Sequence, residues 1–166
     1  MKVPETLIPI VEIPTKKNVQ LFIKREDLIH PQISGNKFWK LFFNLNNYLE
    51  TQPENPLIIT FGGAFSNHIS AVSAAGKLYN IKTLGIIRGE ELLQKWQQNP
   101  TLRLASENGM SFRFVTREDY RIKENLTQKL KLEFPNALVI PEGGTNKNAV
   151  LGIKMMLNKH TKDFDY

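Results

Sequence analysis

The chain has 166 residues, 41% of them hydrophobic, enough for one ordinary domain with a sizeable core and too apolar for a disordered segment. It has no cysteine, which excludes disulfides, thiolate catalysis and cysteine-ligated zinc. The net charge of +6 is scattered and mixed with acids, so it reads as a solvated surface that can draw in anionic substrates, not as a nucleic-acid stripe. No apolar run approaches the ~20 residues of a membrane span. The start, MKVPETLIPIVEIP, is broken by Pro4, Pro9 and Pro14 and lacks the basic and apolar regions of a signal peptide, so the expected compartment is the cytoplasm.

Val19 to Lys24 (VQLFIK) has the composition of a strand, and Arg25-Glu26-Asp27-Leu28 follows it. His30-Pro31 marks a break, because the residue before proline avoids the helical region. Ser34 is then the expected helix N-cap. Beyond it Phe38, Leu41, Phe42, Leu45, Tyr48 and Leu49 recur at helical spacing as one apolar face. Pro53 and Pro56 end that helix. Leu57 to Phe61 (LIITF) is a continuous apolar run, suited to a strand covered on both faces. Gly62-Gly63 turns the chain, and a small-residue helix runs from Ser66 through Ala71, Ala74, Ala75 and Leu78. Thr83 to Ile87 is the next strand. Asn99-Pro100 opens a helix over Thr101 to Asn108, stopped by Gly109. A strand at Ser111 to Val115 precedes a helix over Asp119 to Phe134, with Ile122, Leu126 and Leu130 on one face. Ala137 to Ile140 is a strand, Pro141 to Asn146 a turn, and Asn148 to Asn158 a closing helix. This alternation implies parallel strands with crossover helices, an open α/β layer structure. Ligands of such sheets bind at strand carboxyl ends, where both glycine pairs, Gly62-Gly63 and Gly143-Gly144, fall.

Three places carry candidate chemistry. Lys37 sits near a helix start among apolar Ile33, Phe38 and Trp39. The positive helix end and burial both disfavour an ammonium there, as a lysine nucleophile requires. Lys40, one turn on, is its expected solvent-facing partner. The plain alternative is an ordinary surface lysine. At Gly62 to His68, a strand, a glycine turn and a helix N-terminus make an anion site, to which Ser66, Asn67 and His68 add polar side chains. The alternative is a Ser66 helix cap with His68 packed at the surface. Glu142-Gly143-Gly144-Thr145-Asn146 is either a second polar loop on the same cleft or a tight turn. No phosphate-binding P-loop, dinucleotide fingerprint, metal-spaced histidine pair or nucleophile elbow is present.

Taken in order, Lys24-Arg25-Glu26-Asp27-Leu28, Ser34-Gly35-Asn36-Lys37 with Lys40-Leu41, Gly62-Gly63-x-x-Ser66-Asn67-His68 and Glu142-Gly143-Gly144-Thr145-Asn146 resemble the 1-aminocyclopropane-1-carboxylate deaminase / D-cysteine desulfhydrase family. The resemblance runs from about Val19 to Gly152. It implies a pyridoxal 5'-phosphate enzyme with the fold of the tryptophan synthase β subunit (fold type II), a three-layer open parallel sheet. It also implies a deaminating lyase reaction on a small amino acid: ring opening of aminocyclopropane carboxylate, or sulfide elimination from D-cysteine. Lys37 would form the Schiff base and then act as acid and base. Asn67 would bond the cofactor's ring hydroxyl. Ser66, Asn67 and His68 would bind the substrate carboxylate, with Ser66 also catalytic.

The chain departs from the family pattern at Phe65, where glutamine is usual, and at Trp39, where arginine is common. His68 follows the desulfhydrase-like version. Family members are roughly twice this length and homodimeric. On their pattern, residues 1–44 are the first part of the large domain, 45–135 the small α/β domain and 136–166 the truncated continuation of the large domain. The phosphate-gripping loop, the group facing the pyridine nitrogen and a helping aromatic residue then belong to the half this chain lacks. That leaves an incomplete large-domain sheet with an unpaired edge. The expected partner is a small amino-acid substrate, with no nucleic acid and no membrane. The competing expectation is a truncated, non-catalytic remnant of the same fold.

Overall fold

A computed structural model describes residues 1–4, 7–157, 161 and 164 of the chain. Its centre is a parallel sheet of four strands, β3 (Leu57–Gly62), β4 (Lys82–Arg88), β5 (Met110–Val115) and β6 (Leu138–Ile140), in the order β5-β4-β3-β6. Two further strands, β1 (Ile10–Ile13) and β2 (Leu21–Lys24), form a separate antiparallel pair. The helices are α1 (Asn36–Glu50), α2 (Asn67–Tyr79), α3 (Pro100–Glu107), α4 (Arg117–Arg121), α5 (Lys123–Glu133) and α6 (Lys147–Met156).

The alternation along β3 divides the interior into two cores. Ile58 faces the core built with Leu41, Leu45, Ile69, Val72 and Leu102 from α1, α2 and α3. Its neighbours Ile59 and Phe61 face the opposite core, with Ile86, Tyr120 and Leu130. Helices therefore cover both faces of the sheet, which gives the three layers foreseen from the apolar run LIITF. α6 lies against α1, and the contact is close because residue 152 is glycine: a Cβ there would sit 1.8 Å from the Trp39 carbonyl oxygen.

Several local expectations are corrected. The strand Ile10–Ile13 was not foreseen, because Pro9 and Pro14 bracket it; prolines are tolerated at the ends of such an outlying strand. β2 begins at Leu21, not Val19. The cap of α1 is Gly35, not Ser34: its φ of 59° turns the chain into the helix, and no side chain caps it. The long helix expected over Asp119 to Phe134 is two helices, broken at Ile122 (φ −98°, ψ 60°). The Thr116 hydroxyl caps the first at 3.0 Å, and Tyr120 turns inward edge-on to Phe61, while Ile122 stays 53% exposed. Of the proposed face, only Leu130 is fully buried. The last expected residue of the closing helix, Asn158, lies outside the described residues.

Residues 45–135 do not by themselves contain the sheet. β6 pairs with β3 in parallel register, Thr60 opposite Ile140, so the sheet crosses the boundary expected at residue 135. This places the loop after β6 beside the loop after β3, at the same carboxyl edge.

Candidate active site

Two helix starts meet at one cavity. α1 brings Lys37 in its first turn and α2 brings Asn67 in its first turn. Gln32, Ser34, Asn36, Lys37, Asn67 and Ser70 line a cavity of about 330 Å³, within the range of small-ligand sites. The Lys37 amine has a bond to Asn36 Oδ1 at 3.2 Å. Partial burial, and then the Lys40 charge, hold its pKa below the ordinary lysine value.

The loop after β3 is built to bring α2 back onto the strand. A Cβ at Gly62 would fall 2.5 Å from Ile69 Cγ1 and 2.9 Å from Ser66 Cβ, so only glycine permits the return. Ser66 is the N-cap, its Oγ accepting the Ile69 N–H at 3.3 Å. By helix geometry the first-turn N–H groups of Asn67 and His68 have no carbonyl partner within α2. Ser66 does not line the Lys37 cavity. It borders another of about 510 Å³, with Gly63, Phe65, Arg88, Arg117 and Glu142. The start of α2 thus serves two cavities: Asn67 lines the first and Ser66 the second. Phe65, 76% exposed, lines the second.

His68 is not at the surface. It is 1% exposed, with Nε2 2.9 Å from Thr60 Oγ1. The Thr60 hydroxyl donates its proton to the Ile140 carbonyl at 2.9 Å, so it must accept from His68, which puts the ring proton on Nε2. Nδ1 is then a buried acceptor without a hydrogen-bond partner, facing Gly144, where a Cβ would come within 3.3 Å of it. Burial first, then the Lys37 and Lys40 charges, lower the His68 pKa to about 3. Thr60 was missed in the sequence; its signal is a polar residue at an inward position of an otherwise apolar strand.

The sign of this shift sets a pH dependence. The unfolded histidine titrates near 6.5 and the folded one near 3. Between these values the unfolded chain binds the extra proton, so stability present above pH ~6.5 is lost as pH falls toward 3. Thermal midpoints measured across that window should fall with acid, and His68→Gln should flatten the fall.

The second glycine loop is largely committed to structure. Asn146 caps α6 by accepting the Ala149 N–H at 2.9 Å, and it exchanges two hydrogen bonds with Asn44 of α1. Lys40 is not solvent-facing as expected: it donates to Gly143 O at 3.1 Å and to Thr145 Oγ1 at 3.0 Å, tying this loop to α1 beside Lys37. Glu142 pairs with Lys123 at 3.1 Å. Asn146→Ala removes the cap and the Asn44 pair, and urea unfolding should register a loss of about 1–2 kcal/mol.

The chain is also similar to known proteins. A bifunctional D-cysteine desulfhydrase/1-aminocyclopropane-1-carboxylate deaminase from Arabidopsis thaliana, named as mitochondrial, is 30% identical over 141 residues, covering 80% of this chain and 35% of its own. A Thermotoga maritima protein provisionally named a 1-aminocyclopropane-1-carboxylate deaminase is 32% identical over 160 residues, covering 89% of this chain and 49% of its own. A crystal structure of a 1-aminocyclopropane-1-carboxylate deaminase homologue superposes with a TM-score of 0.73 at 26% identity, over 97% of this chain and 51% of that one.

The chain belongs to the 1-aminocyclopropane-1-carboxylate deaminase / D-cysteine desulfhydrase family.

No family model matches it. The family uses pyridoxal phosphate and has fold type II. The chain spans between about a third and a half of the length of these relatives. Its Lys37 cavity fits that cofactor in two respects: the amine is disposed to lose its proton, and an amide side chain faces the same space. Among the described residues no helix is long and apolar enough to cross a membrane, and no cluster of metal-binding side chains occurs.

Proposed function

We propose that this chain carries the amine-bearing part of a pyridoxal phosphate site for deamination or desulfhydration of a small amino acid. Lys37 would hold the cofactor's aldehyde carbon as a Schiff base. The observation that carries the reading is the meeting of Lys37 and Asn67 on one polar cavity, with the Lys37 amine partly desolvated. Bound there, pyridoxal phosphate supplies an electron sink for cleavage at the substrate's α and neighbouring carbons.

The chain's own residues then have separate tasks. Lys37 would take or give a proton at a substrate carbon when its amine is free. The Asn67 side-chain N–H would donate to the cofactor's ring hydroxyl. The first turn of α2 receives the substrate carboxylate on the Asn67 and His68 N–H groups, with Ser66 at the cap. His68 acts there through its main chain, because its ring is buried against Thr60. Ser66 is the proposed hydroxyl for proton transfer on the substrate side.

A second reading follows from the chain's share of its relatives' length: the same residues bind cofactor without turnover. Absorbance titration with pyridoxal phosphate, followed by assays for ammonia from aminocyclopropane carboxylate and sulfide from D-cysteine, separates the two. Binding with turnover of either amino acid supports the enzyme, and binding without turnover supports the remnant. Failure to bind contradicts both. Asn67→Ala should weaken binding about tenfold, the loss of one hydrogen bond of ~1–1.5 kcal/mol. A family member of this kind is further proposed to be cytoplasmic, and homodimeric at full length.

A further inference from the structure

The segment Lys24-Arg25-Glu26-Asp27-Leu28 is part of the family pattern, yet the site described above uses none of it. Glu26 is its buried member, 7% exposed. Its carbonyl accepts the Gly35 N–H at 2.9 Å. Its Oε2 accepts the Trp39 Nε1–H at 2.5 Å. Gly35 and Trp39 stand two residues before and two residues after Lys37. One residue therefore grips both flanks of the reactive lysine, by main chain on one side and by side chain on the other.

The grip is itself anchored. Glu26 Oε1 is ion-paired with Lys24 Nζ at 2.7 Å, off hydrogen-bond geometry, and Lys24 Nζ also donates to the Met156 carbonyl at 2.5 Å. Trp39 is 3% exposed, and its carbonyl rests on Gly152 of α6. Between Glu26 and Gly35 the loop is closed on itself: His30 Nδ1 accepts the N–H groups of Gln32 and Ile33 at 3.1 and 3.0 Å. The first turn of α1 lacks a side-chain cap, and its start is held locally by two main-chain bonds, Lys37 N–H to Ser34 O and Phe38 N–H to Gly35 O, each 3.2 Å. Gly35 enters the helix at φ 59°, a conformation that glycine adopts without steric cost.

We infer that Glu26 is a positioning residue for Lys37, acting through Gly35 and the Trp39 indole N–H to hold the amine at the mouth of its cavity. A buried carboxylate costs free energy to desolvate, and a purely apolar contact would serve packing as well. The charge is therefore better explained by directional hold than by stability. Misplacing a reacting group by about 1 Å costs up to ~100-fold in rate, so loss of the hold should appear in Lys37 chemistry before it appears in folding.

The inference rests on Lys37 being the cofactor-binding amine, and the test keeps the two apart. The intact chain is mixed with pyridoxal phosphate, trapped with borohydride at intervals, and mapped by peptide mass. Three variants are compared with wild type: Trp39→Phe, which removes the indole N–H together with some buried ring volume; Glu26→Gln; and Leu130→Val, which removes buried volume from the core on the opposite face of the sheet and so controls for packing loss. Trp39→Phe should slow trapping at Lys37 about tenfold while circular dichroism stays native, and Leu130→Val should leave it unchanged. Equal trapping in Trp39→Phe and wild type, or equal slowing in Leu130→Val, overturns the inference. If wild type is not trapped at Lys37, the functional reading fails, and amide exchange decides the positioning claim separately. Exchange in the first turn of α1 should then rise at least tenfold in Trp39→Phe, and less in Glu26→Gln, whose side-chain oxygen still accepts the indole N–H and whose main-chain carbonyl still holds Gly35. Unchanged exchange in folded Trp39→Phe overturns it. Should Glu26→Gln not fold, Trp39→Phe alone carries both readings.

Discussion

Gly152→Ala should destabilise the chain by about 2 kcal/mol or more, read as a lower urea midpoint with an unchanged slope. Two effects oppose each other. Alanine in a helix interior is favoured over glycine by up to ~1 kcal/mol. Against this, the new Cβ would lie 1.8 Å from the Trp39 oxygen and 2.8 Å from the Trp39 carbonyl carbon. Both are backbone atoms of α1, so relief requires one helix to move off the other. Overpacking of this kind costs ~1–3 kcal/mol and sometimes more, so the clash wins. The effect should extend to function, because the displaced residue lies two positions from Lys37. A stabilised or unchanged Gly152→Ala would mean that α1 and α6 are not in contact as described.

Lys37→Ala should abolish covalent attachment of pyridoxal phosphate altogether, with little change in stability. Lys37 is only partly buried and its amine bonds just one exposed side chain, Asn36, so truncation leaves no buried group unpaired. Surface changes of this kind stay within about ±0.5 kcal/mol. Lys40 cannot substitute for it. Its ammonium is held by Gly143 O and Thr145 Oγ1, and breaking those bonds would release the second glycine loop. Retained attachment at a single lysine in Lys37→Ala would move the site elsewhere.

Much of this architecture is legible before any coordinates. The run LIITF, its glycine turn and the strand–helix alternation after it carry the parallel sheet, because both periodicity and turn chemistry are local. The pairing of Lys37 with Asn67 came from the order of several motifs; no single spacing implied it. Other features depend on contacts between distant segments. Ser34 has the better side chain for a cap, yet Gly35 takes the position because Glu26, nine residues earlier, holds its N–H. His68 looks like a surface residue on a polar helix start, yet it is buried because Thr60 on the adjoining strand supplies its partner. Ile122 fits a helical stripe, but Tyr120 docks on Phe61 and the helix breaks to allow it. Ser66 and Lys37 share a family motif set, yet they line separate cavities on either side of the α2 start.

Lys37 and Asn67 line one cavity at the start of α2, and Ser66 lines the other with Arg88 and Glu142. On the proposed function, a substrate carboxylate at the helix start would lie between them. All of this depends on Lys37 being the attachment point. Reduction of the wild-type chain with borohydride in the presence of one equivalent of pyridoxal phosphate, followed by peptide mapping, tests that directly. A single phosphopyridoxyl group on the peptide containing Lys37 is the expected result. A label on another lysine, or one spread over the exposed lysines with Lys37 no more reactive than the rest, would contradict it.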